Sequence, residues 1–205
     1  MRIGIVDIGI GNLGSLRNAL YSQGWDSLFV AKPSGLEGCT HLLLPGVGAF
    51  LTAVKRLHDS GLFKPIREFA AEGRPVMGIC LGMQLLAEQG SEQGDIEGLG
   101  LVEGRVVPIY APSQRLPHVG WNNVYQGQGH PLFEQIRNDI DFYFAHSYRF
   151  VASHPDSVLA YTEYGERFPS VICQGNVVGV QFHPEKSQSN GLRLLDNFCL
   201  WDGTC

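Results

Sequence analysis

The sequence predicts an α/β fold: a single domain over residues 1–205, with a mixed, mostly parallel sheet flanked by helices and carrying added β-hairpins. Three observations carry that prediction. In the first half, short apolar runs alternate with stretches whose apolar residues recur every three or four positions, the βαβα order of a parallel sheet covered on both faces. From about residue 99 the runs shorten and are divided by Gly, Pro and Asn, as in hairpins. A chain of 205 residues, 44% hydrophobic and 17% charged, is long enough to bury about 70% of its unfolded surface around one core.

The elements follow in order. Residues 2–8 and 27–31 read as strands, and 41–44 and 75–79 as buried strands. Helical spacing covers 13–21, 49–57 and 62–70, with right-handed crossovers between the parallel strands. The later runs 101–109, 121–125, 142–145, 158–161, 171–174 and 177–182 are the hairpins and added strands, and an amphipathic helix over 191–200 closes the chain. There is no internal repeat and no linker.

Composition narrows the function. A formal charge of −5 without a basic cluster argues against nucleic acid as a partner. The N-terminus enters an apolar run at once, without the pattern of a signal peptide, and no apolar stretch approaches the ~20 residues of a membrane span, so a soluble, unprocessed protein is expected. Five cysteines, Cys39, Cys80, Cys173, Cys199 and Cys205, are too irregular in spacing for a disulfide framework or a zinc site, and a reducing cytoplasm is the expected location. No metal and no cofactor is expected.

Three segments are candidates for chemistry. Gly9-Ile10-Gly11-Asn12-Leu13-Gly14 follows the first strand, opens a helix and matches the G-x-G-x-x-G pattern of dinucleotide sites. That fingerprint also requires an acidic residue at the end of the second strand, where this chain has Ala31-Lys32-Pro33, so a turn packing helix on sheet is the better reading. In the second segment a buried strand ends at Cys80, flanked by Gly78 and Gly82, and a helix follows. This is a nucleophile elbow with Cys in place of Ser: the sharp turn lifts the thiol clear of the sheet, the helix N-terminus favours a thiolate, and the Leu81 amide points to where an oxyanion forms. Gln84, one turn on, projects to the same side. Unpaired cysteines are more often buried packing residues, but the two glycines and the strand-to-helix position favour a nucleophile. In the third segment, Val180-Gln181-Phe182-His183-Pro184-Glu185-Lys186, extended backbone would put His183 and Glu185 on one side, so that the carboxylate fixes the imidazole tautomer. Alone this is a surface pair; with Cys80 upstream it supplies the base and orienter of a thiol nucleophile.

Gly-Ile-Cys-Leu-Gly-Met-Gln at 78–84 and Gln-Phe-His-Pro-Glu-Lys-Ser at 181–187 resemble the nucleophile and His-Glu motifs of class I glutamine amidotransferases. Residues 44–50, 117–122 and 144–148, with Gly11-Asn12-Leu13, resemble the glutaminase subunits of imidazole glycerol phosphate synthases, and the likeness spans essentially the whole chain. It implies the class I glutamine amidotransferase fold, with Cys80 attacking the glutamine amide, His183 passing a proton to departing ammonia and Glu185 orienting His183. It further implies an oxyanion hole from the backbone amides of Val47, Gly48 and Leu81, and a substrate grip by Gln84, Ser147 and Tyr148. The implied partner is a (β/α)8-barrel cyclase subunit in a heterodimer, docking at Asn12, Trp121 and Tyr143 and using the ammonia for histidine biosynthesis. For Trp121 and Tyr143 ordinary core packing is the equal alternative. Ile8, where such subunits usually have tyrosine, and residues 199–205 depart from the pattern. Alternatives are a paralogous subunit feeding an amidino-sugar synthetase, a γ-glutamyl hydrolase acting alone, and a dinucleotide-binding module. A thiol nucleophile working with a protonated imidazole predicts a bell-shaped pH profile in the partnered enzyme.

Overall fold

A computed structural model describes residues 1–92 and 94–204. The parallel half contains β1 (Ile3–Val6), α1 (Leu13–Ser22), β2 (Ser27–Val30), β3 (His41–Gly46), α2 (Phe50–Asp59), α3 (Phe63–Ala71), β4 (Val76–Cys80) and the short α4 (Leu81–Leu85). The second half contains β5 (Gln89–Gly90), β6 (Ile96–Glu97), β7 (Gly104–Pro108), β8 (His118–Gln126), β9 (Ile140–His146) and β10 (Tyr148–Ala152). It ends with β11 (Val158–Tyr164), β12 (Glu166–Gln174), β13 (Val177–Val180) and α5 (Gln188–Leu200).

A nine-stranded sheet has the order β2-β1-β3-β4-β13-β12-β11-β8-β9, parallel from β2 through β13 and antiparallel from there to β9. The strands of the parallel half alternate between two cores, as a two-faced sheet requires. Leu43, Met77, Ile79, Val178 and Val180 face Leu16 of α1 and Leu194 and Phe198 of α5. Leu42, Leu44 and Val76 face Ala53 and Leu57 of α2 and Ile66 and Phe69 of α3. A second sheet, β10-β7-β5-β6, packs Val106 and Phe150 into that second core.

The predicted class is observed, with corrections at strand ends. The first strand stops at Val6 because Asp7 begins the glycine turn, where the Gly9 amide donates to Asp7 Oδ1 at 3.0 Å. The last strand stops at Val180, and Pro184–Lys186 is a 3-10 turn, not extended chain. Proline at its first position has φ fixed for helix and needs no amide partner there. Strand β10 and the pair β5 and β6 are not foreseen by any apolar run. In the terminal segment Trp201 is buried, its Nε1 donating to Thr204 O at 2.6 Å, while Cys205 lies outside the described residues.

Glycines decide where the site can form. A Cβ on Gly82 would lie 1.6 Å from Leu44 O, and one on Gly78 2.5 Å from Gly82 O, so α4 can pack against β3 and β4 only with glycine at both positions. By contrast a Cβ on Gly14, in the first turn of α1, meets nothing within 4 Å. Gly82→Ala is therefore expected to lower unfolding free energy by about 3 kcal/mol or more, and Gly14→Ala to raise it by up to about 1 kcal/mol. Urea midpoints with unchanged slopes would check both; equal small effects would contradict the packing described.

Candidate active site

Cys80 ends β4 at φ 55° and ψ −111°, in the left-handed half of conformational space that non-glycine residues rarely occupy. Strain of this kind costs about 1–3 kcal/mol and persists only where the surroundings enforce it. Here the enforcement is the register Gly46↔Cys80 between β3 and β4, together with the packing of α4 through Gly82. The thiol is buried and donates to Ala145 O on β9 at 3.8 Å. The helix after it has only five residues, so its first-turn amides, not a long dipole, are what it offers a thiolate.

His183 precedes the Pro184–Lys186 turn, and the turn brings its Nδ1 to 2.9 Å from Glu185 Oε1 with both side chains buried. The pair meets as predicted, but across a 3-10 turn instead of along an extended strand. The turn is anchored from three sides: the His183 amide donates to Tyr143 O at 2.8 Å, Ser187 Oγ donates to His183 O at 2.6 Å, and the Tyr143 amide donates to Ser187 Oγ at 3.0 Å. Gly191 lets α5 approach it, since a Cβ there would lie 1.9 Å from Pro184 O. Burial alone would lower the His183 pKa; hydrogen bonds and charge interactions with Cys80 and Glu185 outweigh it and push the value up to about 9. His183 is then an imidazolium at neutral pH, with Nδ1 on Glu185 and Nε2 turned to Cys80.

A cavity of about 340 Å³ opens beside the thiol. Of the residues expected at the site it is lined by Val47, Gly48, Cys80, Leu81, Gln84, Ser147 and Tyr148, so one space collects the candidates for nucleophile, oxyanion hole and substrate binding. Val47 is 43% exposed at its rim, and Gly48 has φ 102°, a conformation that suits glycine. Gln84 Nε2 donates to Tyr148 O and to Gln181 Oε1, each at 3.1 Å, which ties α4 to the opposite wall.

Sequence reasoning missed Glu92, Pro117, Ala145 and His146, which complete the lining. Glu92 accepts the Phe50 amide at the start of α2, but it lies in a polar stretch with no pattern to mark it. His146 stands inside a segment already singled out, and only the fold shows that it points inward.

The remaining candidates lie outside the cavity. Trp121 is 47% exposed and packs edge-to-face on half-buried Tyr143 at 6.1 Å, which rules out the core-packing alternative for Trp121. Exposed Asn12 caps α1, its Oδ1 accepting the Ser15 amide at 3.3 Å. The glycine turn beside it is clamped by Arg56, whose Nη1 donates to Ile8 O and Gly9 O at 3.0 and 2.7 Å. Its third glycine, Gly14, makes no close packing, unlike the corresponding glycine of a dinucleotide fingerprint.

The chain matches the Glutamine amidotransferase class-I family over residues 5–201. It is 48% identical over 197 residues to imidazole glycerol phosphate synthase subunit HisH of Symbiobacterium thermophilum, with 96% of this chain and 92% of that one covered. It is 45% identical over 200 residues to the subunit of the same name from Desulfitobacterium hafniense, covering 97% and 94%. A crystal structure of a glutamine amidotransferase aligns with a TM-score of 0.78 at 24% identity over 98% and 99% of the two chains. The structure of PurLQS from Thermotoga maritima gives 0.76 at 19% identity over 97% of each. At these identities the structural likeness speaks for the fold alone.

The raised His183 pKa has a definite sign. Because the folded value lies above the ordinary ~6.5, its protonation stabilises the fold fully below that pH and ceases to do so as pH rises through about 9. An NMR titration is expected to place the His183 midpoint near 9, and Glu185→Gln to lower it. The stability gap between wild type and variant should narrow from pH 6.5 to 9; a wild-type midpoint at or below the ordinary value would contradict the ion-pair geometry.

Proposed function

The chain belongs to the class-I glutamine amidotransferase family, and from that membership we propose that it is the glutaminase subunit of an imidazole glycerol phosphate synthase, supplying ammonia for histidine biosynthesis. The observation that carries the proposal is the meeting of Cys80, His183 and Glu185 at the carboxyl end of β4, beside a cavity of about 340 Å³. A crevice at the carboxyl ends of parallel strands is where open α/β sheets place their ligands.

In this reading Cys80 attacks as a thiolate beside the His183 imidazolium, the thiol proton having gone to solvent, and its sulfur bonds to the side-chain carbonyl carbon of glutamine. The carbonyl oxygen becomes an oxyanion held by the amides of Val47, Gly48 and Leu81, each such donor being worth about 2.7–4 kcal/mol in comparable enzymes. His183 gives its Nε2 proton to the amide nitrogen, the C–N bond breaks, and ammonia leaves a glutamyl thioester. The now neutral imidazole takes a proton from water, whose oxygen attacks the thioester; the C–S bond breaks to return the thiolate, and the new carboxyl group gives its proton to the released ammonia, leaving glutamate. Glu185 keeps the proton on Nδ1 throughout, so that Nε2 does the transfer. Gln84, Ser147 and Tyr148 hold the substrate.

The ammonia acceptor is a (β/α)8-barrel cyclase subunit bound in a heterodimer in the cytoplasm. Its docking face includes Asn12, Trp121 and Tyr143. Support comes from the exposure of Trp121 and Val119 (57%) on β8, an aromatic and apolar patch of the kind protein partners cover. Among the described residues no helix is long and apolar enough to cross a membrane.

The test is glutamate release from glutamine by the chain alone and with a cyclase barrel carrying its nucleotide ligand. Slow release alone, a rise of about 10²-fold or more with the loaded barrel and a fall of at least about 10³-fold in Cys80→Ser are expected. The pH profile of the complex should be bell-shaped. A rate indifferent to the barrel would remove the histidine-pathway assignment and point to an amidino-sugar synthetase as acceptor, and full activity in Cys80→Ser would remove the nucleophile.

A further inference from the structure

Two buried histidines lie beside the cavity, His146 in its lining and His118 one layer further in. His118 of β8 and His146 of β9 are register partners in that antiparallel pair. His146 Nδ1 lies 2.8 Å from Tyr148 O, and its Nε2 lies 3.0 Å from His118 Nδ1. His118 Nε2 lies 3.2 Å from Asn122 Nδ2, which also donates to Glu163 O at 3.0 Å.

The two ends fix the direction of the whole chain of bonds. A carbonyl only accepts, so His146 carries a proton on Nδ1, and in the neutral ring its Nε2 is then an acceptor. His118 must then donate from Nδ1, leaving its own Nε2 to accept. At the far end the Glu163 carbonyl requires the Asn122 nitrogen on that side, so the amide orientation agrees. Both rings are thereby neutral Nδ1–H tautomers. Burial lowers the His118 pKa to about 4. For His146, burial, opposed by the Tyr148 carbonyl and reinforced by His118 and His183, lowers it to about 3. His118 is also clamped between Tyr164 and Phe144, at ring-centroid distances of 4.0 and 4.9 Å.

The chain ends where the two sheets meet. His146 is the last residue of β9 in the nine-stranded sheet, and Tyr148 is the first of β10 in the four-stranded one. Residues 145–148 form one wall of the cavity, and Tyr148 O also receives Gln84 Nε2 from α4. The chain cannot relay a proton onward, because it terminates on a carbonyl oxygen. What it can do is hold that carbonyl in place.

We propose that His118 and His146 are positioning residues for glutamine binding: a one-way chain of hydrogen bonds from Asn122 through both Nδ1–H imidazoles to Tyr148 O holds the seam between the sheets where Ser147 and Tyr148 grip the substrate. The substrate half of this proposal rests on the glutaminase reading; the tautomers do not.

The experiment has two readouts. Long-range ¹H–¹⁵N correlation of the histidine-labelled full chain at pH 7, without substrate, is expected to show Nδ1–H for both His118 and His146. An Nε2–H or imidazolium pattern on either ring overturns the proposal. In glutaminase kinetics with the barrel partner, His146→Ala is expected to raise KM for glutamine about tenfold with kcat within about threefold. His146→Asn, whose amide NH₂ can replace Nδ1–H toward Tyr148 O, should recover most of that loss, and His118→Ala should raise KM while His146 keeps its proton on Nδ1, where Tyr148 O holds it. A fall in kcat at unchanged KM, or no recovery in His146→Asn, overturns the positioning role. A wild-type complex that releases no glutamate overturns the function and the substrate role together, and the tautomers then show whether the chain of bonds exists.

Discussion

Everything in the site depends on one backbone conformation, the left-handed turn at Cys80. That conformation is unfavourable for a residue with a side chain, and what sustains it is packing on both sides of the turn. Before it, β4 is fixed in register between β3 and β13. After it, α4 is pressed so closely onto Leu44 that only Gly82 fits. A thiol in an ordinary strand conformation would face one of the two cores; here it faces the crevice at the end of the sheet. The strain is therefore the means by which a buried cysteine becomes available to a substrate while remaining shielded from water.

From that point the wall opposite is organised by carbonyl oxygens more than by charges. Ala145 O receives the thiol, and Tyr148 O receives both Gln84 and His146. Apart from Glu92, whose carboxylate caps the start of α2, the charged groups are the pair His183 and Glu185, where burial and proximity oppose each other over the imidazole and proximity prevails. The separation is physically sensible. Neutral, directional donors fix geometry without competing for the proton, and the proton is left to the one ring that has a carboxylate behind it.

The parallel half was legible in the sequence because its strands are buried on both faces and so read as continuous apolar runs between glycine turns. The second half was less so. Strand β8 runs from His118 to Gln126, past Gly120, Asn122 and Asn123, residues poorly suited to strands; its pairing with β9 holds it extended where side-chain preference would not. Strand β10 could not be read because its partner β7 lies some 40 positions back and nothing local announces the pairing. In the site, the elbow at Cys80 was readable because its glycines are a short-range requirement. His183 and Glu185 do meet, but through the 3-10 turn that Pro184 starts and not along the extended chain that their spacing suggests. His118 and His146 are invisible as a pair in the sequence, since they meet only through the register of β8 and β9.

The turn that carries His183 sits on the outer strand of the large sheet. Strand β9 is the last in the order, and an uncovered outer strand offers unpaired amides and carbonyls to any other extended chain. At Tyr143 both groups are occupied by the turn itself, the carbonyl by the His183 amide and the amide by Ser187 Oγ. The same few residues thus arm the thiol and seal the sheet against strand addition at that point. Loosening of this turn would convert loss of activity into a tendency to self-associate, so that inactive molecules would also be the sticky ones.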